Sequence, residues 1–205
     1  MGELSKREEI LSACFAEFSE NGYEKANTNR ICEAAGVSKG LLFHYFGSKK
    51  NLYIQCVEKC IEDVMMIFED FSVEGLSFTE ALAAYGQVKL QFFSTHPLHY
   101  RIFVGAFLNT PKDVQAELSK RYVELNQYAM KIMNELICKL NLKKGVGNEQ
   151  VATLVTAVIN IIENKYITLI LSNPDCDKKL YDGIQQDYLQ MMELLLYGIA
   201  EHPEL

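Results

Sequence analysis

The sequence predicts an all-α protein, and three observations carry that expectation. Apolar residues recur at the i, i+3, i+4 spacing of a helix face in stretch after stretch, and no segment alternates apolar and polar residues as a half-buried strand does. Only four prolines and twelve glycines punctuate 205 residues, so long segments run without a breaker. Capping residues bracket the periodic segments, with Ser or Thr ahead of them and Gly behind the first two. The composition is that of a folded chain, 49 % hydrophobic and 23 % charged.

The first helix is expected to begin at Ser5, which forms a capping box with Glu8. Ile10, Cys14 and Phe18, with Leu11 and Phe15 beside them, make its apolar stripe, and Asn21-Gly22 ends it. Thr28 reads as the hydroxyl N-cap of a short second helix with Ile31, Ala34 and Ala35 on one face. Gly36 supplies the left-handed stop, Val37 turns inward at the corner, and Ser38 caps a third helix. On that helix Leu42 and Phe46, four apart, face the core and leave Gly40 and His44 pointing outward. Two short helices about a glycine turn are the pattern of a helix-turn-helix, whose second helix enters the major groove of DNA.

From Ser48 the apolar period continues through Ile54, Val57, Ile61, Val64, Met65 and Phe68, predicting a rod of about 35 Å that ends near Phe71. Further helices are expected over 78–95, 97–108, 112–140, 148–172 and 178–201. Their punctuation is Pro97, Pro111, Gly145-Val146-Gly147 and Asn173-Pro174-Asp175. The expected organisation is a three-helix DNA-binding domain over 1–47, joined to a larger helical ligand-binding and dimerisation domain over 48–205. The most apolar stretch, Val151 to Leu171, is interrupted by Asn160, Glu163, Asn164 and Lys165, which excludes a membrane span. No signal sequence opens the chain, so a cytoplasmic protein is expected.

Net charge is −7, which by itself repels nucleic acid. Its distribution reverses that effect locally. Residues 25–50 hold Lys25, Arg30, Lys39, Lys49 and Lys50 against the single Glu33, a positive patch on a negative body.

The run Ile31-Cys32-Glu33-Ala34-Ala35-Gly36-Val37-Ser38-Lys39-Gly40, followed by Leu42-Phe43-His44-Tyr45-Phe46-Gly47-Ser48-Lys49, resembles the tetracycline-repressor (TetR) family of bacterial regulators. The resemblance covers residues 5–53 and implies roles for individual residues. Thr28 offers its hydroxyl and neighbouring N–H groups to a phosphate, and Arg30 adds charge beside it. Ser38 and Lys39 open the recognition helix, with Lys39 in reach of a guanine edge or a phosphate. Gly40 permits close approach to the duplex. Leu41 departs from the small or hydroxylated residue usual there and offers a thymine methyl an apolar contact. Phe43 departs from the usual tyrosine and loses its phosphate contact. Tyr45 and Lys49 then serve the backbone, and His44 a base or phosphate.

The resemblance also implies a homodimer, formed by the two C-terminal helices pairing with their copies. Their apolar faces, which on the residues alone serve equally as core within one chain, are Val151, Leu154, Val155, Val158 and Ile162, with Tyr181, Ile184, Tyr188, Met191, Met192, Leu195 and Ile199. An effector pocket is expected among Phe68, Phe92, Phe103, Phe107, Tyr128 and Met133, with Asn160, Glu163, Asn164 and Tyr166 as inward polar anchors. A buried Glu163 needs a cation or a hydrogen-bond partner, for which Arg101, Lys165 or a cationic ligand is available.

Six cysteines form no CxxC pair, and His96 and His99 flank Pro97, so neither metal nor cofactor is expected. No nucleophile with a matched base and no phosphate-cradling glycine loop point to an enzyme. The expected function is a ligand-responsive transcriptional regulator, a repressor released from a palindromic operator by a small, largely apolar effector. The competing expectation is a helical small-molecule binding protein without regulatory DNA binding.

Overall fold

The computed structural model describes residues 3–69, 71–172 and 178–197, and its described elements are helical throughout. In order they are α1 (Glu3–Lys25), α2 (Thr28–Ala35), α3 (Lys39–Phe46), α4 (Lys49–Met66), α5 (Phe78–Thr95) and α6 (Pro97–Phe103). A π turn (Val104–Leu108) and a 3-10 turn (Lys112–Val114) lead into α7 (Gln115–Ile137), α8 (Asn148–Ser172) and α9 (Lys178–Tyr197). These form two compact units, Met1–Met66 with His96–Asn126 and Ile67–Thr95 with Gln127–Leu205. The first therefore takes in more than the 47 residues whose motif signals DNA binding.

The first unit is built on the stripe read from the sequence. Ile10, Cys14 and Phe18 of α1 share one core with Ile31 of α2, Leu42 and Phe46 of α3, and Leu52, Cys56 and Val57 of α4. Gly22 breaks α1 with φ 66° and ψ 172°, so Tyr23 turns back into the core. There its ring centroid lies 5.0 Å from that of Tyr53, which in turn meets Phe18 edge-on at 5.1 Å. Ile102 and Ala106, from α6 and the π turn, close the same core.

Several helix bounds differ from expectation, among them these. α1 starts at Glu3 rather than Ser5, whose side chain lies outside the described residues. α4 ends at Met66, giving 18 residues, about 27 Å, instead of the longer rod. Its apolar period lapses at Met65 and Met66, which are exposed. Phe68 and Phe71 instead join Tyr85 of α5, with centroids 4.9 Å and 6.1 Å from that ring. α7 stops at Ile137, three residues short of Leu140. The Asn173-Pro174-Asp175 break and Cys176 lie outside the described residues, as do residues 198–205.

In the second unit α5, α8 and α9 pack around Leu82, Leu90, Val155, Ile162, Tyr188 and Met192, all buried. Gly86 of α5 is required there, because a Cβ at that position would stand 2.3 Å from the Tyr188 ring. This packing decides, for part of these faces, between the two uses that the sequence left open. Val155, Ile162, Tyr188 and Met192 are core within one chain, since α8 and α9 use those faces against α5. The large apolar residues of these helices that remain exposed are Leu154, Ile161, Leu169, Leu189, Leu194 and Tyr197 among the described residues. Tyr181, Ile184 and Ile199 of the expected face lie outside the described side chains.

Candidate nucleic-acid interface

The turn between α2 and α3 is a complete Schellman motif. Gly36, at φ 61° and ψ 41°, donates its N–H to the Glu33 carbonyl at 3.2 Å, and Val37 N–H reaches the Cys32 carbonyl at 2.9 Å. Ser38 follows at once as N-cap of α3, its hydroxyl accepting from Leu41 N–H at 3.2 Å. α3 ends at Gly47 (φ 75°, ψ −50°), where Ser48 N–H folds back to the Phe46 carbonyl at 2.9 Å in a γ-turn that only glycine enters without strain. The Ser48 hydroxyl then caps α4 through Asn51 N–H at 3.1 Å. With Leu42 and Phe46 fully packed beneath it, α3 presents Lys39, Gly40 and His44 to solvent, with Leu41 and Tyr45 half-buried at its flanks.

One expected cap moves by a residue. Asn27, not Thr28, caps α2: its backbone is extended and its side-chain carbonyl accepts from Asn29 N–H at 2.8 Å. Thr28 is the first helical residue, half-buried, among the first-turn N–H groups that no helical carbonyl reaches.

The positive patch is more heavily engaged than its sequence suggested. Arg30 grips Glu17 of α1, with Nε 3.0 Å from both carboxylate oxygens and Nη2 2.5 Å from Oε1. That same Oε1 accepts the Asn27 N–H at 2.8 Å, so one carboxylate stitches α1 to the start of α2. Glu17 is buried and Arg30 half exposed. The Arg30 hydrogen bonds hold the Glu17 carboxyl below its ordinary pKa, aided by Asn27 N–H and opposed by burial. Sequence reading missed Glu17; its signal was a carboxylate inside the apolar run of α1, between Phe15 and Phe18.

Lys49 donates to the Glu24 carbonyl at 3.0 Å and lies 5.1 Å from the Tyr23 ring centroid, so it binds α4 to the end of α1. Lys50 pairs with Glu117 of α7 at 2.9 Å. Tyr23 hydrogen-bonds Asp113 through its hydroxyl, and Arg121 of α7 reaches Glu58 of α4 at 2.8 Å. His99 of α6 meets Asp63 of α4 at 2.9 Å. The base of the recognition helices is thus cross-linked to α6 and the first half of α7 within one unit. Lys39 stays on the exposed face of α3.

The residues expected to line a pocket divide between the units. Phe103 and Phe107 pack on the core of the first, their rings 4.9 Å apart. Phe68, Phe92, Met133, Glu163 and Tyr166 are buried in the second, with Tyr128 half-buried. Asn160 and Asn164 are exposed, and so are not inward anchors. Glu163 does hold a cation, but neither Arg101 nor Lys165: Lys89 of α5 reaches it at 2.7 Å, from 74 residues away in the chain. Lys165 instead pairs with Asp187 of α9 at 2.5 Å. Among the described residues no group of side chains is arranged to hold a metal ion.

A capped two-helix corner that presents an exposed recognition helix beside cationic residues defines a DNA-binding protein of the helix-turn-helix class. Residues 10–56 match the family of bacterial regulatory proteins described as the tetR family, and residues 76–200 match the tetracyclin repressor-like C-terminal domain. The chain belongs to the tetracycline-repressor family of transcriptional regulators.

Among its relatives, the transcriptional repressor AcnR of Corynebacterium glutamicum is 40 % identical over 72 residues, 35 % of this chain and only 37 % of that protein. The nucleoid occlusion factor SlmA of Glaesserella parasuis is 28 % identical over 156 residues, 76 % of this chain and 75 % of SlmA. A TetR-like regulator from Rhodococcus sp. RHA1 shares the fold with a TM-score of 0.73 at 16 % identity, over 94 % of this chain and 98 % of that one. FadR from Bacillus subtilis, solved in complex with stearoyl-CoA, shares it with a TM-score of 0.67 at 20 % identity, over 95 % and 100 %.

Proposed function

We propose that this chain is a homodimeric cytoplasmic repressor that leaves a palindromic operator when a small, largely apolar effector binds its second unit. The observation that carries the reading is the outward face of α3. Lys39, Gly40 and His44 are exposed on a helix whose other face is locked to the core by Leu42 and Phe46. Lys39, Leu41 and His44 read bases, and Thr28, Tyr45 and Lys49 position the backbone. Arg30 and Lys49 do so only after exchanging or sharing the protein partners that now hold them. Two such helices, related by a two-fold axis, read half-sites one helical turn or a multiple apart. The exposed residues Leu154, Ile161 and Leu189 supply the dimer face.

That FadR was solved with stearoyl-CoA is in keeping with ligand binding by this fold. α7 contributes its first half to the unit that carries the recognition helix and its second half to the other unit. We assign it, with α4, the transmission of the ligand state. A coupling of about 1–3 kcal/mol changes operator affinity some 5- to 150-fold.

A gel shift with duplexes selected by the protein from a random palindromic pool tests the reading. Affinity should fall steeply with salt, and Lys39→Ala should relax base preference. The engagement of Arg30, Lys49 and Lys50 by the protein itself favours the second reading, a helical ligand-binding protein without regulatory DNA binding. Failure to enrich any duplex, together with salt-insensitive binding, would decide for it.

A further inference from the structure

Of the eight residues of α3, Leu42 and Phe46 are buried, and Phe43 and Tyr45 pack half-buried against the core of the first unit. Lys39, Gly40 and His44 are exposed. Leu41 is the remaining position. It is half-buried, yet it is not among the partly buried residues that pack on that core. A helix turns by about 100° per residue, so Leu41 stands at the margin of the outward face, three residues and nearly one turn before His44. Gly40, beside it on that face, carries no side chain, and even a Cβ there would meet only the Ser38 hydroxyl at 3.8 Å.

The chemistry of base reading narrows what such a surface recognises. Guanine is read by Arg or Lys, adenine by Asn or Gln, and cytosine by Asp or Glu. α3 holds no Arg, Asn, Gln, Asp or Glu. Ser38 spends its oxygen on the cap, accepting Leu41 N–H at 3.2 Å. Lys39, which suits guanine, and His44 are the polar readers left on the exposed face. Thymine, by contrast, shows the major groove a 5-methyl group that an apolar side chain contacts without a hydrogen bond.

We propose that Leu41 makes operator recognition methyl-dependent: its side chain seats on a pyrimidine 5-methyl in the half-site, so that thymine or 5-methylcytosine is favoured there over uracil or bare cytosine. The proposal rests on the reading of α3 as the recognition helix, and extends it from a thymine contact to sensitivity to cytosine methylation. Thymine and 5-methylcytosine carry the same methyl and differ at position 4, a carbonyl acceptor against an amino donor. Leucine has no hydrogen-bonding group with which to tell those two apart. Methylation of a cytosine facing Leu41 therefore raises affinity.

The full chain, with a duplex it selects from a random palindromic pool, tests this by gel shift at fixed salt. Each half-site thymine is replaced in turn by uracil, which keeps every hydrogen-bonding group and loses only the methyl. At one or two thymines affinity should fall about fourfold, the worth of one buried methyl. Cytosine at the same position should bind more weakly than thymine, and 5-methylcytosine should regain about fourfold over cytosine. In Leu41→Ala both methyl effects should shrink below about twofold, whereas Leu41→Met, which keeps an apolar side chain, should retain them. Uracil accepted without loss at every thymine overturns the proposal and leaves DNA shape as the source of specificity. A selected half-site without thymine overturns it as well. So does an equal methyl effect in parent and Leu41→Ala, since another residue then holds the methyl. Failure to select any duplex overturns it together with the regulator reading; specific, salt-sensitive binding that ignores the methyls overturns it alone.

Discussion

The Glu17–Arg30 pair predicts how the recognition unit responds to acid. Glu17→Gln keeps the size of the side chain and an oxygen able to accept the Asn27 N–H, which now lies 2.8 Å from Oε1. It removes the charge that draws Nε to 3.0 Å from each oxygen. Charge-assisted hydrogen bonds are roughly twice as strong as neutral ones. With the outer side of the pair open to solvent, the expected loss at pH 7 is about 1–2 kcal/mol. For a unit of this size that lowers the melting temperature by roughly 5–10 °C. The pH dependence is more telling. Arg30 depresses the folded-state pKa of Glu17 below the ordinary carboxylate value of 4.5. Its contribution is therefore fully present above that value and is lost as pH falls through the lower folded value. Urea melts of parent and variant, followed by circular dichroism from pH 8 to pH 3, should show a constant gap down to roughly pH 5 that closes below it. A gap that persists unchanged at pH 3, or widens on acidification, refutes the assignment of the stabilisation to the ionised carboxylate.

Other substitutions separate fold from function. A Cβ at Gly40 would meet only the Ser38 hydroxyl at 3.8 Å, an ordinary contact. Gly40→Ala should therefore hold or raise stability by about 0.5–1 kcal/mol while weakening DNA binding, and tighter binding in a gel shift would contradict the close-approach role. Gly86→Ala forces the Tyr188 ring to move and should cost about 1–3 kcal/mol. In thermal melts that penalty should shrink when Tyr188→Ala vacates the space. Ile161 is 61 % exposed on α8. Ile161→Glu should yield monomers in light scattering with the helical content unchanged, and an intact dimer would remove that face from the interface.

The helix-turn-helix was legible because its determinants are local. Gly36, Ser38 and the Leu42–Phe46 spacing act within one or two turns of chain, and each appears in the structure in the expected role. The bounds of α5 and α8 were legible for the same reason, periodic apolar residues between clear breakers. The cap of α2 slipped to Asn27 because two adjacent residues, Asn27 and Thr28, were both competent, and the Glu17 carboxylate binds the Asn27 N–H.

What the chain order left open were partners and faces. Charge in residues 25–50 was countable, yet Glu17 and Glu117, which neutralise Arg30 and Lys50, lie outside that window. Apolar periodicity marked α8 and α9 as burying wide faces without saying against what. Packing with α5 takes Val155, Ile162, Tyr188 and Met192 and leaves Ile161 and Leu154 outside. Sequence alone thus determined the helical class, the recognition corner and the need of a buried Glu163 for a cation or a hydrogen-bond partner. Only the tertiary structure decided that Lys89 is that cation and that Gly86 makes room for Tyr188. The physical reason is range: caps and helix faces are set by neighbours within a turn, whereas ion pairs and core faces are set by residues that only folding brings together.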